Sequence, residues 1–200
     1  GSYRYNSVRE AYPIALNYIK EGYQTFILNY HVREESEFPR PLKDAALAVK
    51  HIRQNSKEYG INLDDLTILG LTAGGHLAGL YSSLYDSKEF SDLIGISLDD
   101  MKISQTILAY PAINLTSVYE DVIKQGVEGY VGHMFNNYSE KKDGIKQIHK
   151  NMPPVFIFHT LEDEMVDVSG VIDYVSELIK HGVETEFHLY SEGKHGLATG

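Results

Sequence analysis

The residues best placed to do chemistry are a hydroxyl, a histidine and a choice of carboxylates, spread widely along the chain. Thr72 stands at the centre of Gly70-Leu71-Thr72-Ala73-Gly74, between the apolar run LTILGL (66–71) and the segment TAGGHLAGLYSSLY. His195 lies in SEGKHGLA, and four acids, Glu162, Asp163, Glu164 and Asp167, crowd HTLEDEMVDV. A hydroxyl attacks an acyl carbon only when a base takes its proton, and the base needs a carboxylate to orient it. A strained strand-to-helix turn would lift Thr72 above a sheet. Gly70 and Gly74 would let strand and helix approach closely. The Ala73 amide would then face a developing oxyanion from the positive end of the helix.

Each of these residues also has a plainer reading. A Gly-rich turn after a strand can be only a tight turn or a phosphate cradle. No P-loop lysine follows it, and its glycine spacing is not that of a dinucleotide fingerprint. A loop histidine beside glycine is commonly a surface residue, and an acidic loop can simply cap the helix predicted from 169.

The elements that must position these groups alternate between two periods. Residues 8–21 put Ala11, Ile14, Ala15 and Ile19 on one helical face, with Gly22 as a stop. QTFILNY (24–30) reads as a buried strand. Pro41 opens a helix with Leu42, Ala45, Val49 and Ile52 in register, which Gly60 ends. Strands are predicted at 66–71, 105–111, 154–160 and 184–190, with a helix after Thr72 and another over 169–180 through Ile172, Val175 and Ile179. Strands separated by helices at this rhythm predict an α/β fold, a mostly parallel sheet with helices on both faces. Residues 1–200 form one domain, and the irregular stretch 113–152 is the expected lid or insert.

The string GLTAGGHLAG closely resembles the G-x-S-A-G-G-H-L-A elbow of bacterial acetyl esterases and the related xylan-debranching esterases, members of the α/β-hydrolase superfamily. REAYPIALNYIKEGYQTFILNY and FPRPLKDAALAVKHIRQN extend the likeness through residues 3–110. The resemblance implies a nucleophile–acid–histidine order. It puts Thr72 in the place of the nucleophilic serine and His195 as base. By the pattern H-x-x-x-D-x-x-V it sets His159 at the strand end, Asp163 as the acid and Val166 as the anchor of the turn, with Glu162 as the competing acid. The activity implied is hydrolysis of small acyl esters, including those of sugars. A peptidase or thioesterase on the same fold stays open, since fold does not set substrate.

Two departures bear on the same catalytic step. Threonine is β-branched, which adds strain in the elbow conformation, and its methyl shares space with ester and base. A slow esterase, an inactive site and a scaffold kept for binding are all consistent with it. The family's glycine-rich loop, which gives the second oxyanion donor, precedes the segment that begins here at Tyr3. Gly1–Ser2 is its remnant or a cloning scar, and Ser2 or Tyr3 amides are the available substitutes. Losing one such donor is typically worth about 3 kcal/mol in the transition state. The family's strand before that loop lies between 24–30 and 66–71, so a fragment is expected, or an assembly such as a homo-oligomer in which another chain supplies the strand. Tyr3 and His76 are candidate substrate-binding residues, and Tyr110 and Tyr130 could also line a pocket.

Composition narrows the partners. The formal net charge is −10, from 18 Lys+Arg against 28 Asp+Glu, which argues against nucleic acid or an anionic membrane. With no cysteine, disulfides and thiolate catalysis are excluded. No metal-ligand spacing occurs among the histidines, so no cofactor or metal is expected. No apolar run approaches the ~20 residues of a membrane span. A cytoplasmic location and a small-molecule ester ligand are the corresponding expectations.

Overall fold

The computed structural model describes residues 1–113 and 144–197. Helices α1 (Tyr12–Lys20), α2 (Arg40–Gln54) and α3 (Ser56–Tyr59) precede the first strand, β1 (Thr67–Leu71). Then come α4 (Ala73–Leu84), α5 (Lys88–Ile94), α6 (Leu98–Met101), β2 (Gln105–Ala109), β3 (Val155–Thr160), α7 (Val168–Lys180) and β4 (Thr185–Tyr190). The four strands pair in the order β1-β2-β3-β4, all parallel. Leu69 lies opposite Ile107, Ile107 opposite Phe156, and Ile157 opposite Phe187. A parallel pair cannot be closed by a hairpin, so each crossover must carry chain back along the sheet. Helices α4 to α6 do this between β1 and β2, and α7 does it between β3 and β4.

Side-chain alternation decides what each strand buries. Thr106, Leu108, Val155 and Ile157 are buried, while their neighbours Ile107, Phe156 and Phe158 are half-buried. One core joins Leu108, Val155 and Ile157 to Val171, Tyr174 and Leu178 of α7. A second joins Leu42, Ala45, Ala46 and Val49 of α2 to Leu77, Leu80 and Tyr81 of α4. The predicted α2 face, Leu42, Ala45, Val49 and Ile52, is buried throughout.

Three local expectations change. Residues 24–30 join no ladder among the described residues, and Phe26, Ile27 and Leu28 stay more than a third exposed. Strand-forming side chains do not make a strand without a neighbouring backbone to bond. Helix α1 has no buried residue, and Ile19 of its expected face is exposed. In α7 the core face is Val171, Tyr174, Val175 and Leu178, with Ile172 and Ile179 exposed. Apolar residues lie on two overlapping stripes there, and the stripe holding the large aromatic is the one that packs. Most of the predicted insert 113–152, and Tyr130 within it, lies outside the described residues.

Candidate active site

The ends of all four strands converge on one place. Thr72 follows β1, Tyr110 follows β2, Asp163 follows β3 and His195 follows β4. The carboxyl ends of parallel strands are where this class of sheet gathers its ligands and catalytic groups.

Thr72 takes φ +54° and ψ −116°, a left-handed conformation costing about 1–3 kcal/mol for a branched residue. The surroundings hold it there. Its N–H donates to the Ala109 carbonyl at 3.1 Å, and its own carbonyl accepts from Ala112 and His76, each at 3.1 Å. A Cβ on Gly70 would lie 2.1 Å from the Gly74 carbonyl oxygen, and one on Gly75 would lie 2.7 Å from Pro111 Cβ. A Cβ on Gly74 would meet nothing within 4 Å. The close approach expected of Gly70 and Gly74 is thus made by Gly70 and Gly75, with Gly74 contributing its carbonyl. Ala73 is the first residue of α4, so its amide has no acceptor within the helix.

Thr72 Oγ1 lies 3.1 Å from His195 Nε2. On the other side of the ring, Nδ1 lies 2.8 and 3.0 Å from Asp163 Oδ2 and Oδ1. The carboxylate fixes Nδ1 as a proton carrier and so turns Nε2 to the hydroxyl. Asp163 Oδ1 also accepts from the amides of Met165 and Val166, both at 2.9 Å. Burial pushes the Asp163 carboxyl up, but the hydrogen bonds from His195, Val166 and Met165, with the His195 charge, outweigh it and hold the pKa below the ordinary value. Val166 is buried and pins the turn.

The neighbouring acids do other work. Glu162 accepts from the Gly193 amide at 3.2 Å, and Glu164 from the His195 amide at 3.3 Å. Asp167 caps α7, accepting from the Ser169 amide at 2.6 Å. His159 is fully buried, its Nδ1 accepts from the Thr160 amide at 2.9 Å, and its Nε2 lies 3.8 Å from Asp163 Oδ2.

The N-terminal segment reaches the same place. Tyr3 hydroxyl and His76 Nδ1 lie 2.8 Å apart, and both residues are buried, which leaves them little surface to offer a substrate. Their bond ties the first residues to α4. Ser2 and Tyr3 both have positive φ, +53° and +55°, and the turn closes through Arg4 N–H to Gly1 carbonyl at 2.9 Å.

One residue here was not singled out in the sequence. Glu10 Oε1 accepts from Thr72 Oγ1 at 3.2 Å and from the Tyr110 hydroxyl at 3.3 Å. Tyr110 is fully buried, with its ring edge-on to His195 at 5.1 Å between centroids. Glu10 sits in a stretch read only for its apolar helical face, and no local spacing links it to a residue sixty positions away. Among the described residues, no group of three His, Cys, Asp or Glu could hold a metal ion, and no helix is long and apolar enough to cross a membrane.

Comparison with known proteins agrees with this architecture. The endo-1,4-beta-xylanase B of Butyrivibrio fibrisolvens is 27% identical over 92% of this chain, and the acetylxylan esterase of Xylanibacter ruminicola is 25% identical over 90%. The chain spans only 29% and 36% of the lengths of these two relatives. Among solved structures, the carboxylesterase Cest-2923 of Lactobacillus plantarum superposes with a TM-score of 0.86 at 25% identity, covering 99% of this chain and 70% of that one. An acetyl ester-xyloside bifunctional hydrolase of Caldicellulosiruptor lactoaceticus gives 0.82 at 29% identity, covering 98% and 71%. The mostly parallel sheet with its helices, superposing on these structures, is the α/β-hydrolase fold. The BD-FAE family model matches residues 1–178, and the chain belongs to that family.

Proposed function

We propose that this chain carries the reacting centre of a carboxylic ester hydrolase for small acyl groups, with Thr72 as nucleophile, His195 as base and Asp163 as its orienting acid. The observation that carries this reading is the unbroken run from Thr72 Oγ1 to His195 at 3.1 Å and from His195 to Asp163 at 2.8 Å. Thr72 Oγ1 attacks the ester carbonyl carbon while His195 Nε2 takes its proton. The carbonyl oxygen becomes an oxyanion, received by the Ala73 amide, with the Ser2 segment as the source of a second donor. Collapse breaks the bond to the alkoxy oxygen, and His195 returns the proton to the departing alcohol. Water, deprotonated by His195, then releases the acid and restores Thr72.

The names of the similar proteins support acetyl esters of xylose-containing sugars as the substrate class. Small neutral acyl groups suit a nucleophile crowded by its own methyl, with the Tyr110 ring against its base. A Thr72→Ser variant relieves that crowding, and it is expected to hydrolyse p-nitrophenyl acetate at least tenfold faster than a Thr72→Ala control. Equal rates for the two variants would sink the esterase reading. A second reading, ligand binding without turnover, draws on the strained threonine and on the carboxylate that shares its hydroxyl. It predicts ester binding unchanged by His195→Ala and no acylated enzyme by mass spectrometry.

A further inference from the structure

The parallel ladder between β3 and β4 reaches Thr160 opposite Tyr190, where the Leu161 amide donates to the Tyr190 carbonyl at 2.9 Å. Asp163 and His195 both lie beyond that end, so strand pairing alone does not set the distance between them. Side chains continue the pairing instead. The Thr160 hydroxyl donates to the Gly193 carbonyl at 2.6 Å, and the amide of the same glycine donates to Glu162 at 3.2 Å. Two residues on, the His195 amide donates to Glu164 at 3.3 Å. Three alternate residues of one loop therefore hold the backbone of the other, while Asp163 between them holds the imidazole at 2.8 Å.

Thr160 has the firmest grip of the three. It is fully buried, its own amide donates to His159 Nδ1 at 2.9 Å, and its hydroxyl makes the shortest of these backbone contacts. Glu162 and Glu164 are exposed, where water competes for the same amides. Gly193 takes φ +122°, and a Cβ there would lie 3.1 Å from Thr160 Cγ2. A glycine is what lets the loop lie this close to the hydroxyl.

We propose that Thr160 is a positioning residue whose hydroxyl, through the Gly193 carbonyl, sets the place of the His195 ring between Asp163 and Thr72. The inference rests on the reading of His195 as the base that activates Thr72. A ring held 2.8 Å from one partner and 3.1 Å from the other has little room to drift, and a displacement of about 1 Å can cost about a hundredfold in rate. Without the Thr160 hydroxyl the loop is freed two residues before His195. Asp163 keeps its own turn through the Met165 and Val166 amides. The base moves, and the acid stays.

Two substitutions in the whole chain separate positioning from packing. Thr160→Val keeps the branched shape that suits a strand and removes only the hydroxyl. Thr160→Ser keeps the hydroxyl and removes the methyl. Two readouts are taken on the folded proteins: the NMR resonance of the His195 Nδ1 proton shared with Asp163, and the rate of fluorophosphonate labelling. Thr160→Val is expected to move the resonance and to label about tenfold more slowly than wild type, while Thr160→Ser keeps the resonance and labels within about twofold. Glu162→Ala loosens Gly193 from its other side at an exposed position, and should move the resonance in the same sense with a smaller loss of rate. An unmoved resonance or a wild-type labelling rate in Thr160→Val would overturn the proposal, as would the same result in Glu162→Ala if Thr160→Val does not fold. Equal losses in Thr160→Ser and Thr160→Val would also overturn it, since packing would then account for both. No labelling of any protein, with the resonance moved in Thr160→Val and not in Thr160→Ser, upholds the hold on His195 and defeats the reading of Thr72 as nucleophile.

Discussion

Two halves of the molecule meet at the Thr72 hydroxyl, and they are built in opposite ways. From β1 onward every group at the site hangs from the end of a strand in a four-stranded parallel ladder, over a core of fully buried side chains such as Leu108, Ile157 and Leu178. Residues 1–35 form no ladder, and their one α-helix has no buried residue. Yet this thinly held segment brings Glu10 to the Thr72 hydroxyl. Its side-chain links to the rest include Tyr3 to His76 at 2.8 Å and His31 to Asp44 at 2.7 Å, while Asn6 to the Tyr30 carbonyl at 3.0 Å and the Arg33 amide to the Tyr3 carbonyl at 2.7 Å hold the segment to itself. The sheet fixes His195 and Asp163, while side-chain bonds fix the carboxylate that meets Thr72 from the other side. A site divided in this way can lose one half without the other.

The largest expected effect lies on the sheet side. Gly70→Ala would set a Cβ against backbone 2.1 Å away, and the elbow cannot give way cheaply. A loss of about 3 kcal/mol or more in urea unfolding is expected. Gly74→Ala meets open space inside a helix and should change stability by less than about 1 kcal/mol, with a gain favoured. Similar losses from both would mean that the close approach is misassigned.

On the other side, Tyr3→Phe removes the 2.8 Å bond to the buried His76 Nδ1, a loss of about 1 kcal/mol. Hydrogen exchange should show it as faster exchange of the amides in residues 1–10, with β1 to β4 unchanged. If the strands lose protection equally, the two halves are one cooperative unit and the contrast fails.

A smaller effect separates the loops of the sheet side itself. The Asp163 pKa is held below its unfolded value, so its contribution to stability is complete above the ordinary aspartate range near 3.9. That contribution is lost as pH falls through the lower folded value. The urea midpoint of wild type should therefore fall more steeply below pH 4 than that of Asp163→Asn. Parallel curves would show that Asp163 is not held as an anion by His195 and the turn amides.

What could be read in the sequence followed the same division. The elbow, the strand order and the loops bearing Asp163 and His195 lie in short motifs, each with a strand, a turn and a helix adjacent in the chain. GLTAGGHLAG announces a strand end and a helix start within ten residues, so its placement needs no distant information. Which glycine of the pair makes contact was not readable, because Gly74 and Gly75 differ only in what another strand end, at Pro111, puts beside them. The packing face of α7 was ambiguous for a similar reason. Val171 and Ile172 both continue apolar stripes, and the choice falls to neighbours on β2 and β3. Glu10 was beyond reach altogether. Its partners, Thr72 and Tyr110, are 62 and 100 residues away, and no period or spacing reports such a contact. The run at 24–30 has the composition of a strand, but a strand is completed only by a partner, which composition does not disclose.

The central claim is that the Thr72 hydroxyl is activated by His195. Peptide mapping after exposure to a fluorophosphonate tests it most directly. The predicted result is a single phosphonyl adduct on the peptide holding Thr72, with its rate of formation falling at least about a hundredfold in His195→Ala. An adduct on another residue, or one on Thr72 formed equally fast without His195, would contradict it.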